Sequence, residues 1–108
     1  MLYTCADDFF KHAAEMKQLT REEEKELASK MQQGDEDAKN SLINSYLPIL
    51  ASYIKRYTAQ PSLQIIYLGI ETLRTSIENY NFQFKNPTFS KYLGNNIRQM
   101  MAKYIANS

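Results

Sequence analysis

Apolar side chains recur at steps of three and four along most of this chain, which is the period of an α-helix. The heaviest run is Leu42, Ile43, Tyr46, Leu47, Leu50, Tyr53, Ile54 and Tyr57. It spans about four turns, so we expect it to be the core helix. Asp35 can cap that helix, with Glu36 and Asp37 in its first turn at the positive end of the dipole. Lys55 and Arg56 suit its negative end. Pro48 interrupts it. Proline removes one ladder hydrogen bond and clashes with the preceding turn, which predicts a kink near Tyr46 or Leu47.

The same reading places helices on either side. Thr4 can cap a first helix, with Asp7 and Asp8 in its first turn and Phe9, Phe10, Ala13, Met16 and Ala14 on its apolar side, ending near Gln18. Leu19 precedes a second helix. Thr20 followed by Glu23 is a capping box, in which each side chain satisfies a free backbone N–H at the other residue. Leu27, Ala28 and Met31 give this helix a narrow apolar stripe, and Gly34 is a natural terminator. After a loop from Thr58 to Pro61, Ser62 can cap a helix with the stripe Leu63, Ile66, Tyr67, Ile70, Leu73, Ile77 and Tyr80. Leu68 lies off that stripe, near Gln64, Glu71 and Thr75, and could centre a contact patch. Asn79 to Thr88 reads as the longest loop, ordered in part by Phe82 and Phe84. The last helix runs from Thr88 to Ile105. No strand pattern competes and no internal repeat is present. The fold class expected is all-α, a bundle of about five helices.

The last helix is the most suggestive of function. Phe89, Tyr92, Leu93, Ile97, Met100, Met101, Tyr104 and Ile105 fall on one side. Lys91, Asn95, Asn96, Arg98, Gln99 and Lys103 fall on the other, with no acid among them. A solvated surface helix has the same look. Charge is polarised along the chain: residues 1–40 hold six basic and ten acidic side chains, and residues 41–108 hold seven basic and two acidic. An acidic front and a basic tail imply an anion-facing end. With 108 residues, 44% of them hydrophobic, the chain fits one small globular domain. Cys5 is the single cysteine, so a reducing interior is the natural setting. No apolar run approaches the ~18 residues a spanning helix needs. We expect a cytoplasmic protein without membrane contact.

Catalytic patterns are missing. There is no glycine-rich phosphate loop, and no Cys/His cluster has metal spacing. His12 is the one histidine and reads as an ordinary helix-surface residue. The carboxylates of Glu22 to Glu24 point in three directions and cannot chelate together. Glu71 and Glu78 have no sign of a cleft around them. The expectation is a binding protein, not an enzyme, with no cofactor and no metal.

Three stretches resemble one family. LTREEEKELASKMQQGDEDAKNSLINSYLPILASYIKRY, residues 19–57, resembles the start of a bacterial RNA polymerase sigma factor, and Tyr46-Leu47-Pro48 is similar to the smaller, extracytoplasmic-function members. LQIIYLGIETLRTSIENYN, residues 63–81, resembles the helix with which sigma factors grip the polymerase clamp. TFSKYLGNNIRQMMAKYI, residues 88–105, resembles the helix that reads and melts the promoter −10 element. The resemblance is to sigma region 2 with a region 1.2-like start. It divides the chain into an N-terminal helix outside the resemblance, residues 1–18, and a region 2-like domain, residues 19–108.

The resemblance implies an all-α domain that docks on the clamp helices of the largest subunit of core RNA polymerase, through Gln64, Tyr67, Leu68, Glu71 and Thr75. It implies promoter DNA as a further partner, through Lys91, Tyr92, Asn95, Asn96, Arg98, Gln99 and Lys103. Tyr92 matches the family's base-stacking tyrosine, Phe89 a neighbouring aromatic, and Gln99 the glutamine facing the upstream end of the element. Arg98 and Lys103 match phosphate-facing positions. An unpaired base gains by stacking on an aromatic ring and by edge hydrogen bonds.

The departures fall at functional positions. The family's clamp motif Asp-Leu-Ile-Gln-Glu-Gly is Gln64-Ile65-Ile66-Tyr67-Leu68-Gly69 here. Its tryptophan pair is Asn95-Asn96, and asparagine cannot stack in tryptophan's place. Ala102 replaces a threonine. No helix-turn-helix follows, so we expect a second protein to supply upstream promoter contacts. The alternative is a sigma-derived protein–protein regulator that does not bind DNA.

Overall fold

The computed structural model of the chain describes residues 3–83 and 88–106. Within them lie six α-helices and no strand: α1 (Ala6–Ala14), α2 (Arg21–Gln32), α3 (Glu36–Ser45), α4 (Leu47–Tyr57), α5 (Leu63–Asn79) and α6 (Phe89–Ala106). The all-α class is as the periodicity predicts. The sixth helix arises at Pro48. What the sequence presents as one kinked helix is two helices, α3 and α4, that share Tyr46 as C-cap and N-cap (φ −100°, ψ 0°). Pro48 has no N–H to offer Asn44, and its ring crowds that carbonyl, so the ladder breaks outright. The Tyr46 N–H turns back to the Ile43 carbonyl (3.1 Å), and the Tyr46 carbonyl starts α4 by accepting from Leu50 (2.9 Å).

Most caps follow the expected chemistry. The Thr20–Glu23 capping box is complete, with bonds of 2.9 and 3.1 Å. Asp35 accepts from the Ala38 N–H (3.1 Å) and Ser62 from the Ile65 N–H (3.2 Å). Gly34 has φ +95°, a left-handed conformation that costs glycine nothing. The first helix departs from expectation. Its N-cap is Cys5, without a side-chain bond, and Thr4 instead hydrogen-bonds the Asp8 carboxylate through its hydroxyl. It ends at Ala14, not near Gln18. His12 is not a plain surface residue: it is half-buried, with Nδ1 2.8 Å from the Tyr3 hydroxyl oxygen.

α2 pairs with α3 and α5 with α6, while α1, α5 and α6 all pack on α4. The core is continuous: Phe9, Leu42, Leu47, Leu50, Ile54, Ile65, Ile66, Leu73, Ile77, Leu93, Ile97 and Met101 are almost wholly buried. Lys39 ties α3 to α5 by donating to Glu78 (3.0 Å), with Glu36 3.2 Å away on its own helix. Hydrogen bonds to Glu78 and then Glu36 raise its pKa. Among the described residues no helix is long and apolar enough to cross a membrane.

Candidate functional site

The buried stripe Phe89, Leu93, Ile97 and Met101 fixes how α6 sits. Each residue turns a helix by about 100°, so the remaining circumference carries two polar strips where the sequence presents one face. Lys91, Asn95 and Arg98 form the first, toward α4. Tyr92, Asn96, Gln99 and Lys103 form the second, toward α5. Ile105, read as apolar-face, is 58% exposed at the helix end.

The α4 side holds a shallow cavity of about 310 Å³ lined by Tyr53, Tyr57, Lys91, Gly94, Asn95 and Arg98. Tyr53 lies against α6 and donates its hydroxyl to the Ser90 carbonyl (3.2 Å). A Cβ at position 94 would stand 2.7 Å from that hydroxyl oxygen, so glycine lets the ring approach. The Arg56 guanidinium sits 5.3 Å from the Tyr53 ring centroid, a cation–π distance. Arg56, Lys91 and Arg98 therefore surround two tyrosines. Tyr57, read from its periodicity as core, is 37% exposed.

The α5 side is a longer groove of about 750 Å³. α5 contributes Gln64, Leu68, Thr72, Thr75, Ser76 and Asn79, and α6 contributes Tyr92, Asn96, Gln99, Met100, Lys103 and Tyr104. Asn96 donates to the Ser76 hydroxyl (2.8 Å), which donates in turn to the Thr72 carbonyl (2.6 Å). At the other end Ser62 and Tyr104 hydroxyls are 3.4 Å apart.

The groove thus gathers Gln64, Leu68 and Thr75 with Tyr92, Asn96, Gln99 and Lys103, residues that the resemblance assigns to two different partners. Leu68 is exposed, as its place off the stripe predicts. Glu71 is exposed and pairs with Arg74 (3.0 Å). Tyr67 is set apart. It is half-buried on the opposite shoulder of α5, where its hydroxyl meets the backbone of Tyr3.

Beneath α6 is an aromatic cluster. Phe89 is only 4% exposed and stands 4.5 Å from the Tyr46 ring and 5.2 Å from both Tyr80 and Phe82, centroid to centroid. It is a core residue and cannot meet a base. Tyr92 packs one side on Tyr80 (5.4 Å) and stays half-exposed at the groove. Phe82 is buried in the cluster as expected, while Phe84 lies outside the described residues. The Tyr46 hydroxyl donates to Glu24 across to α2. Burial first, and then the Glu24 carboxylate, raise the Tyr46 pKa well above that of a free phenol. Tyr80 is raised as well, by burial and by Glu24, with Arg21 opposing. The sequence reading passed over Tyr53, Arg56 and Tyr57 as site residues, because core periodicity and the helix dipole each gave them an ordinary role. The signal available was Arg56 between two tyrosines on a helix that also meets α6.

Among the described residues no cluster of His, Cys, Asp or Glu could hold a metal ion. What the arrangement defines is an all-helical module with a cationic, tyrosine-bearing face and a groove of mixed polar and apolar lining. Comparison with known proteins gives the family likeness. Residues 8–37 match the family described as Sigma-70 factor, region 1.2, a span that takes in most of α1 together with α2. Over 101 residues the chain is 32% identical to the protein named RNA polymerase sigma factor SigA of Listeria monocytogenes serovar 1/2a (strain ATCC BAA-679 / EGD-e). That alignment covers 92% of this chain and 27% of the relative, so the chain spans about a quarter of that protein's length. On both counts the chain is similar to part of a sigma factor.

Proposed function

We propose that the chain is a sigma-like transcription initiation module. It docks on core RNA polymerase, at the clamp helices, through the exposed strip of α5 around Gln64, Leu68, Glu71 and Thr75. It presents α6 to promoter DNA near the −10 element. The observation that carries this reading is the α4–α6 face, where Arg56, Lys91 and Arg98 flank Tyr53 and Tyr57 with no carboxylate lining the cavity. Cations of this kind meet phosphates and set register, while the half-exposed Tyr92 can stack an unpaired base. Asn95 and Gln99 supply edge hydrogen bonds.

A second reading, a protein–protein regulator without DNA contact, is favoured by one detail. The Asn96 amide, which stands where the family has a stacking tryptophan, is already bonded to Ser76.

Two titrations separate the readings: purified protein against core RNA polymerase, and against a labelled −10 single strand at several salt concentrations. Leu68→Glu should weaken polymerase binding at least about tenfold while sparing the oligonucleotide. Arg98→Ala should do the reverse and reduce the salt slope by roughly 0.7, the share of one single-strand phosphate contact. No affinity for core polymerase at micromolar concentration would sink the proposal. Polymerase binding without oligonucleotide binding would favour the regulator.

A further inference from the structure

The short segment ahead of α1 makes a contact that the sigma likeness does not account for. The Tyr3 N–H donates to the Tyr67 hydroxyl at 2.7 Å, and that hydroxyl lies 3.3 Å from the Tyr3 carbonyl as donor. The Tyr3 ring is buried, edge-on to Phe9 (5.4 Å), with its own hydroxyl 2.8 Å from His12 Nδ1. Tyr67 immediately precedes Leu68 and lies one turn before Glu71, so it forms the shoulder of the exposed α5 strip. Tyr3 therefore meets α5 at Tyr67, on the side of the strip away from the groove.

We infer that this segment is an intramolecular cover, which must lift when a protein partner seats on α5. The inference rests on the docking reading above. Thr4 and Cys5 beside Tyr3 are exposed, Cys5 gives α1 no side-chain cap, and the pair of bonds at Tyr67 ties this segment to α5. A partner reaching Tyr67 must first break the pair of bonds to Tyr3. Its apparent affinity is then reduced by the fraction of molecules still covered.

The test is affinity for core RNA polymerase, together with amide exchange of the N-terminal peptide. Tyr3→Ala keeps the backbone bonds to Tyr67 but removes the ring's packing on Phe9 and its hydroxyl contact with His12, which hold the segment down, and should bind roughly tenfold tighter. Tyr67→Phe keeps the ring and drops both bonds, so it weakens the cover without touching the packing of Tyr3 on Phe9 and His12. In the wild-type chain the N-terminal peptide should exchange faster in the complex than free. If the wild type binds and neither variant binds tighter, or the peptide is equally or better protected in the complex, the cover is wrong and docking stands. If no form binds polymerase, the docking reading fails and the cover with it.

Discussion

Phe89→Ala separates the packing role of the last helix from its binding role. The ring is 4% exposed and touches three others at 4.5 to 5.2 Å: Tyr46 at the α3–α4 break, Tyr80 at the end of α5, and Phe82 in the following loop. Truncating a buried phenylalanine costs about 3–5 kcal/mol through lost transfer energy and the cavity left behind. The upper part applies here, because each ring pair adds roughly 0.5–1.5 kcal/mol beyond its area. A domain of this size has about 5–15 kcal/mol in all, so the variant should be close to unfolding. At roughly 4 °C per kcal/mol, the midpoint should fall by about 16–20 °C. Thermal and urea unfolding followed by circular dichroism give both numbers. Phe89→Leu refills most of the volume and should lose about half as much. Below its own transition, and on the proposed DNA-binding reading, its affinity for the −10 strand should equal that of the wild type, since the ring is out of reach. A midpoint within a few degrees of wild type for Phe89→Ala would refute the packing argument. A folded Phe89→Leu chain that lost an affinity for the oligonucleotide shown by the wild type would refute the claim that the ring is out of reach.

Three further outcomes follow from the geometry. Thr20→Ala removes the cap at α2 and should cost about 1 kcal/mol in urea unfolding, with no effect on polymerase affinity. Burial, reinforced by Glu24, holds the Tyr46 proton in the folded state, so its contribution to stability is complete below pH 10 and is lost as pH rises past the ordinary phenol value. Tyr46→Phe should therefore flatten the alkaline end of the stability curve; an unchanged slope above pH 10 would contradict this. Asn95→Trp, at an exposed position, should leave the unfolding free energy within about 0.5 kcal/mol of wild type, whereas Asn96→Trp loses the bond to Ser76 and should cost roughly 1–3 kcal/mol.

Caps and helix starts were legible because each depends on a few local residues. Thr20 with Glu23, Asp35, Ser62 and Gly34 behave as their chemistry dictates. The first helix was misread for the same local reason. Thr4 looks like a cap, but its hydroxyl has a competing acceptor in Asp8, and nothing in the spacing ranks the two. At Pro48 the direction of the effect was visible and its size was not. Whether a proline bends or breaks a helix depends on what the two halves can pack against, and here α4 gains α1, α5 and α6. The site was legible as one basic face. Its division into two strips depends on which side of α6 meets α4 and which meets α5, a tertiary fact. Tyr57 shows the limit most clearly: at one position a 3.6-residue period cannot tell the edge of a buried stripe from the lip of a cavity.

The two strips also bear on Asn95-Asn96, which stand where the resembled family has its tryptophan pair. A ring at position 96 would project toward α5 and occupy the space that the groove now leaves open between Leu68, Ser76 and Met100. Asparagine is too small to fill it and uses its amide to bind Ser76, which keeps a buried hydroxyl satisfied and holds α6 in register with α5. Asparagine at this position therefore ties the helix pair together and leaves the groove open. The cationic strip toward α4 is untouched by it, because Lys91, Arg98 and Arg56 lie on the far side of the buried stripe's edge and draw on Tyr53 and Tyr57. Stacking capacity in this chain is thus divided between Tyr92 at one strip and the α4 tyrosines at the other, with Phe89 beneath serving the core. A phosphate-tracking role needs only the α4 strip. Base capture needs Tyr92 as well, and the two can be lost independently.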